Sequence, residues 1–491
     1  MQSIVYFCQM KGTEVVQISR VIQSSLTFEL TDDQQKLLVA IDHFFHQSNT
    51  KNSLIIRGYA GTGKTTILGA FVKALPTYKH KSVLLAPTGR AAKVLSLSAK
   101  KKATTIHKKI YRRQIGGDGS IHFMLAPNLH TDTLFIVDEA SMIGDYTLTK
   151  EGGVSARNLL EDLFSFVYSG INCRLILLGD EGQLPPVGAD HSPALQYEYM
   201  SYHFPEINFD FIDLKQVVRQ SLDSGILYNA TYIRNIDEYT WPLLHVDSFT
   251  DVKRLSGAEL QDELESCYAQ YGSDETIMIC RSNKRANLFN QEIRGRILWM
   301  EEDICGGDYM MIVKNNYFWI DEKSPAGFLA NGELIQVKRI LKKEFLYGFH
   351  FVKALVSLVD YPEMDQFEVI INMDSIQTEG PNLSRDRMKE LFFAIEQDYL
   401  HQKNKRKRYE LIVNDPYFSA LQVKFAYAVT CHKSQGGQWS AVFIDHGYLP
   451  EGADNKEFHK WLYTAVTRAT EKVYLVNFDK LFFGESDEGV E

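Results

Sequence analysis

The chain has 491 residues, 45% of them hydrophobic, and carries 53 Lys and Arg against 62 Asp and Glu, a net charge of -9. At roughly 150 residues per domain this gives about three or four domains, and the absence of an apolar run of about 18 residues excludes a membrane-spanning helix. Residues 1–8 lack the long apolar stretch and small-residue cleavage site of a secretory leader, which predicts a cytoplasmic protein with no membrane partner. The six cysteines are scattered, without the close pairs that begin zinc sites and redox motifs.

Net negative charge repels a polyanion, but its distribution along the chain reverses that inference. Residues 43–117 hold fifteen Lys and Arg and no Asp or Glu. A window of this kind predicts a track for a polyanion.

Within that window the apolar run 53–57 leads into Gly58, Tyr59, Ala60, Gly61, Thr62, Gly63, Lys64 and Thr65, and then into a stretch apolar at Ile67, Leu68, Phe71, Val72 and Leu75. The order is strand, phosphate loop, amphipathic helix. Glycines let successive N–H groups face one anionic point, Lys64 adds a charge, and the Thr65 hydroxyl adds a magnesium ligand. The chain is therefore expected to bind a nucleoside triphosphate with Mg2+. The run 83–86 follows, ending at Pro87 and Thr88, and residues 111–123 read as two short strands around a glycine-rich turn. The run 134–137 ends in Asp138 and Glu139, and 174–178 ends in Gly179 and Asp180. Such runs are buried parallel strands, whose carboxyl ends converge on a ligand in open α/β sheets. Asp138 is then placed to hold magnesium through water, and Glu139 to orient or deprotonate an attacking water.

Runs 276–280, 441–445 and 472–476 suggest a second α/β region, interrupted by residues 306–424, which have aromatic and β-branched runs and turn pairs such as Asn331 and Gly332. The basic run 403–408 reads as a solvated charged segment.

In order, these pieces and their neighbours resemble superfamily 1 helicases, in the RecD-like and Dda-like branch that moves 5′ to 3′. The resemblance spans roughly residues 30–478. It rests on residues 30–34, the phosphate loop, 86–93, 105–107, 137–142, 179–188 (which include Gln183, Leu184, Pro185 and Pro186), 218–220, 429–436 and 463–469. It implies an α/β fold of two RecA-like P-loop motor domains, with a small hairpin insertion in the first and an SH3-like β-barrel insertion in the second. The expected divisions are an N-terminal extension (1–25), a first motor domain (26–212, with a pin hairpin at 108–131), a second (213–305 and 425–482), the barrel (306–424) and an acidic tail (483–491).

By the same resemblance the activity is ATP-dependent translocation on single-stranded DNA and unwinding of tailed duplex, in repair, recombination or replication, by a monomer. The ATP site would hold Gln34 at the adenine edge, residues 58 and 60–66 (Gly58, Ala60, Gly61, Thr62, Gly63, Lys64, Thr65, Thr66) at the phosphates, Gln183 as γ-phosphate sensor, and Arg219 and Arg468 from the second motor domain. Pro87, Thr88, Arg90, Lys93, Thr105 and His107 would line the DNA track in the first motor domain, and Asn283, Lys284, Thr430, His432 and Lys433 in the second. Ile115, Ile121 or Phe123 of the hairpin would stack on the last base pair. A translocase or remodeler without strand separation, an RNA helicase, and a small-acceptor P-loop kinase are the competing readings; the kinase leaves the second domain without a task.

Overall fold

The computed structural model describes residues 17–47, 51–78, 80–115, 121–145, 158–218, 223–237, 239–321, 323–449 and 455–485, with the side chains of 113–115 and 121–123 outside that description. A six-stranded sheet forms the first motor domain, in the spatial order Ala103–Thr105, Lys81–Ala86, Thr133–Val137, Arg174–Gly179, Asn52–Gly58, Asn208–Leu214. Every pairing in it is parallel, for example Ile56 beside Leu178 and Leu85 beside Val137. Alternate side chains feed two cores. Leu54, Ile56, Leu84 and Ile136 pack with the helices Asp32–His46 and Lys64–Ala74, and Ile55, Leu85, Phe135 and Leu177 pack on the other face. Burial on both faces is why these strands read as continuous apolar runs in the sequence.

A second, five-stranded parallel sheet runs Ala428–Thr430, Thr276–Cys280, Trp439–Asp445, Ala469–Val476, Val252–Leu255. Between its strands the chain leaves to build a closed barrel from Tyr309–Ile312, Leu334–Leu346, Phe349–Leu358, Phe367–Asn372 and Leu421–Phe425. The helices Arg385–Glu396 and Lys405–Val413 lie between the last two barrel strands, which accounts for the length of the insertion. Barrel and second sheet are not separate cores: Met278, Cys280 and Phe443 of the sheet share one apolar cluster with Met310, Ile335 and Val352 of the barrel. At that junction Arg294 makes a buried two-pronged ion pair with Asp308, at 2.8 and 2.9 Å. Tyr427 donates to the same carboxylate at 3.1 Å.

The expected hairpin is present as Tyr111–Ile115 paired antiparallel with Ile121–Leu125, Ile115 opposite Ile121. Its backbone is described, whereas the side chains of Ile115, Ile121 and Phe123 lie outside the described residues. The basic run 403–408 is largely exposed, with Arg408 paired to Glu396 at 2.9 Å and Arg406 to Glu410 at 3.5 Å. No helix among the described residues is long and apolar enough to cross a membrane.

Candidate nucleotide cleft and nucleic-acid interface

The carboxyl ends of the first sheet's central strands meet the second motor domain at a cavity of about 470 Å³. Its lining includes Gln34, Ala60, Gly61, Gly63, Lys64, Thr65, Thr66, Asp138, Glu139, Gln183 and Arg468, so most of the predicted ATP site is gathered in one place. Gly63 sits at φ 80°, and a Cβ there would lie 2.6 Å from Gln34 Nε2, so only glycine fits the loop where the helix Lys64–Ala74 begins. The Gln34 amide works within the protein: its oxygen accepts the Thr31 N–H at 3.1 Å in a capping box, and Nε2 donates to Thr62 O at 3.0 Å. Lys64 Nζ donates to the carbonyls of Gly58 and Tyr59, the second at 2.9 Å.

Glu139 is held at φ 54°, a left-handed conformation uncommon outside glycine, and its N–H donates to Asp138 Oδ1 at 2.9 Å. Burial raises the pKa of both carboxyls, with Arg468 pulling that of Glu139 back. Arg468, 4% exposed, is fixed by its own domain: Nε donates to Thr464 O at 3.1 Å, Nη1 to Gly437 O at 3.3 Å and Nη2 to Thr467 Oγ1 at 3.3 Å. Its Nη1 then stands 3.9 Å from Glu139 Oε1 across the cleft. Gln183 is buried beside them, and its amide oxygen has no hydrogen-bond partner among the described residues. Arg219 lies outside the described residues, although Val218, one position before it, donates its N–H to Gly61 O at 3.0 Å and so passes the phosphate loop.

Three groups here were not picked out from the sequence. Arg234 stacks its guanidinium 4.2 Å from the Tyr59 ring centre. Tyr463 bonds both Asp180 and Ala60, and Gln435 bonds the carbonyl of Leu184. Tyr463 and Gln435 fall inside recognised motifs, so a signal existed; for Arg234 none did, because its contact is purely tertiary.

The predicted DNA contacts fall on both sides of the same seam. Thr88 caps the helix Gly89–Ala99 by accepting Ala91 N–H at 3.2 Å, with Pro87 before it, and the largely buried Thr105 caps Ile106–Ile110 through Lys108 N–H at 3.3 Å. These hydroxyls therefore have structural duties as well. Arg90 lies 4.1 Å over the Trp439 ring and donates to Gln438 O at 3.1 Å, bridging the motor domains. Gly436, at φ 73°, would place a Cβ 2.7 Å from that of Ala91, so the 429–436 motif abuts this helix directly. Lys93 is 3.1 Å from Asp360 of the barrel. His107 and His432 are partly buried and lowered in pKa by it, and Lys433 is brought down to about 8 by the same cause. Asn283 and Thr430 share a small pocket with Lys433. Lys284 is exposed and paired to Glu379 at 3.3 Å.

A phosphate loop closed by an arginine from a second RecA-like domain defines a two-domain motor ATPase. Family comparison narrows the class: a family model described as an AAA domain matches residues 29–235, and one described as a UvrD-like helicase C-terminal domain matches 425–476. The chain belongs to the superfamily 1 helicases, in the branch of RecD-like and Dda-like enzymes. It is 27% identical over 454 residues to the ATP-dependent DNA helicase dda of Enterobacteria phage T4, covering 87% of this chain and 94% of that protein. With the ATP-dependent RecD2 DNA helicase of Deinococcus radiodurans it shares 30% identity over 426 residues, covering 86% of this chain and 46% of that longer protein. Among solved structures, a Bacteroides Pif1 helicase in complex with ADP-AlF3 and ssDNA aligns over 92% of this chain and 93% of its own, at 16% identity and a TM-score of 0.46.

Proposed function

We propose that this enzyme is an ATP-dependent DNA helicase that travels 5′ to 3′ on single-stranded DNA and separates duplex ahead of it. The observation that carries the reading is Arg468, anchored in the second motor domain and aimed at Glu139 of the first. Charge that spreads over the transferred phosphoryl oxygens needs cations, and a cation delivered from the other domain makes turnover depend on cleft closure. Such arginines contribute about 10³–10⁵ in rate. Lys64 and the loop N–H groups hold the phosphates, while Glu139, its pKa raised by burial, takes a proton from water more readily than a solvated carboxylate.

The Thr65 hydroxyl and the Asp138 carboxylate suit Mg2+, a hard ion that binds through one carboxylate, waters and substrate phosphates rather than through a protein cage. Magnesium held there would neutralise the β- and γ-phosphate oxygens. Gln183 is assigned to the terminal phosphate, with Arg219 as a second cation beside Arg468. Single-stranded DNA would run over Pro87, Thr88, Arg90, Lys93, Thr105 and His107, then Asn283, Lys284, Thr430, His432 and Lys433, contacted mainly through phosphate and sugar. We place the enzyme in the cytoplasm as a monomer serving repair, recombination or replication.

The test is strand separation on duplexes that differ only in bearing a 5′ or a 3′ single-stranded DNA tail, with ATP hydrolysis followed in the same reaction. Unwinding from the 5′ tail alone is expected. Stimulated hydrolysis without unwinding would favour a translocase or remodeler, and no response to DNA would turn attention to RNA.

A further inference from the structure

The turn after the strand Arg174–Gly179 belongs to the first motor domain, yet its polar groups are bonded to the second. Asp180 Oδ1 accepts Gly182 N–H at 2.9 Å and shapes the turn, while Oδ2 accepts the Tyr463 hydroxyl at 2.7 Å. Two residues beyond Gly182, Leu184 gives its N–H to Thr464 Oγ1 at 2.8 Å and receives Gln435 Nε2 on its carbonyl at 2.7 Å. Gln183 is therefore strung between two points fixed by the other domain.

Tyr463 does more than hold the turn. Its hydroxyl also accepts Ala60 N–H at 2.8 Å, from the phosphate loop. A hydroxyl has one proton and two lone pairs, so both bonds form together. Burial beside Asp180 pushes the phenol pKa up and keeps that proton in place. The ring is 2% exposed and fills the space over Gly182, where a Cβ would stand 2.9 Å from Tyr463 Cε1. Among the described residues it is the one side chain of the second motor domain hydrogen-bonded to both the phosphate loop and the turn.

We propose that Tyr463 is a positioning residue: its phenol registers the Asp180 turn against the phosphate loop from across the cleft, so that Gln183 is brought to the nucleotide only when the motor domains are shut. The proposal rests on the reading of Gln183 as the group that faces the terminal phosphate. It makes the phenol the link by which closure driven by DNA becomes a rate of hydrolysis. Arg468, five positions further along the chain and just past the helix Asn455–Val466, supplies charge; Tyr463 supplies register.

Tyr463→Phe keeps the ring and removes the hydroxyl. ATP hydrolysis at saturating single-stranded oligonucleotide is to be measured for the wild type, Tyr463→Phe, Gln183→Ala and the double variant, with the KM for ATP and the Kd of a fluorescent non-hydrolysable ATP analogue. A hydrogen bond to a buried carboxylate predicts that Tyr463→Phe lowers kcat about tenfold or more, with KM and Kd within about twofold. In the Gln183→Ala background the same change should add nothing. Wild-type kcat in Tyr463→Phe would overturn the proposal, as would an equal loss in the Gln183→Ala background, which would place the effect outside Gln183. Analogue binding that weakens in step with turnover would mark general damage to the site and overturn it too. A wild-type enzyme that DNA fails to stimulate would instead sink the motor reading beneath it.

Discussion

Glu139 combines a left-handed backbone, a buried carboxyl with a raised pKa and an arginine 3.9 Å away, a combination suited to activating water and poorly suited to mere structure. Glu139→Gln keeps the shape and removes the base. Hydrolysis should fall by about 10²–10⁴, the range typical of a lost general base, while equilibrium binding of ATP analogue and DNA persists. Lys64→Ala should weaken triphosphate binding itself. Normal turnover in Glu139→Gln would show the base to be misassigned. A second prediction concerns Lys433, whose ammonium burial brings down to about 8. A DNA phosphate favours the charged form, so binding must restore a proton once the pH passes that value. Affinity for single strands should therefore hold below pH 8 and fall above it, by up to about tenfold per pH unit for each such lysine on phosphate. Lys433→Arg stays charged throughout and should show a shallower fall in titrations from pH 7 to 9.5; an unchanged fall would remove Lys433 from the track.

At the scale of elements, what was legible in the sequence was whatever local chemistry dictates. Strands buried on both faces announce themselves as apolar runs, and the tips of those at 53–57, 134–137 and 174–178 do meet at one cavity. Charge was less transparent. Arg57 belongs to the acid-free window but is spent on Asp213 at 2.6 Å and Glu181 at 3.1 Å, carboxylates that arrive from distant strand ends and loops. Lys93 likewise meets Asp360. A one-dimensional count cannot see partners that folding imports, nor could it foresee that Thr88 and Thr105 would double as helix caps. The hairpin Tyr111–Ile115 with Ile121–Leu125 was readable because a glycine-rich turn between short β-branched and aromatic runs has few other uses. Its prediction separates two activities: replacing the residues between Ile115 and Ile121 with a minimal turn should abolish unwinding of a tailed duplex and spare DNA-stimulated hydrolysis. Loss of both together would make the hairpin part of the motor rather than a wedge.

At the scale of the whole molecule, barrel and second motor domain share one apolar core and the buried Arg294–Asp308 pair, so they are packed as one body. That body carries acids to the proposed track. Glu333 packs where a Cβ on Gly89 would be 2.9 Å from its Cγ, and Asp360 stands 3.1 Å from Lys93. Burial raises the Glu333 pKa to about 8, leaving it mostly protonated at neutral pH, so Asp360 is the acid that would compete with DNA on the proposed track. Its side chain is 2% exposed, and its Oδ2 has no hydrogen-bond partner among the described residues. Were Lys93 to leave Asp360 for a phosphate, the DNA would shed a counterion and the abandoned carboxylate would recruit one, with no net release. Asp360→Asn removes the second half of that exchange. The variant should bind single-stranded DNA more tightly, and the slope of log affinity against log salt should steepen by about 0.7, the contribution of one additional phosphate contact on a single strand. Titrations at several salt concentrations check both quantities. Equal affinity with an equal slope would mean that the barrel acid and DNA never compete for Lys93, and that the path of the strand avoids this seam.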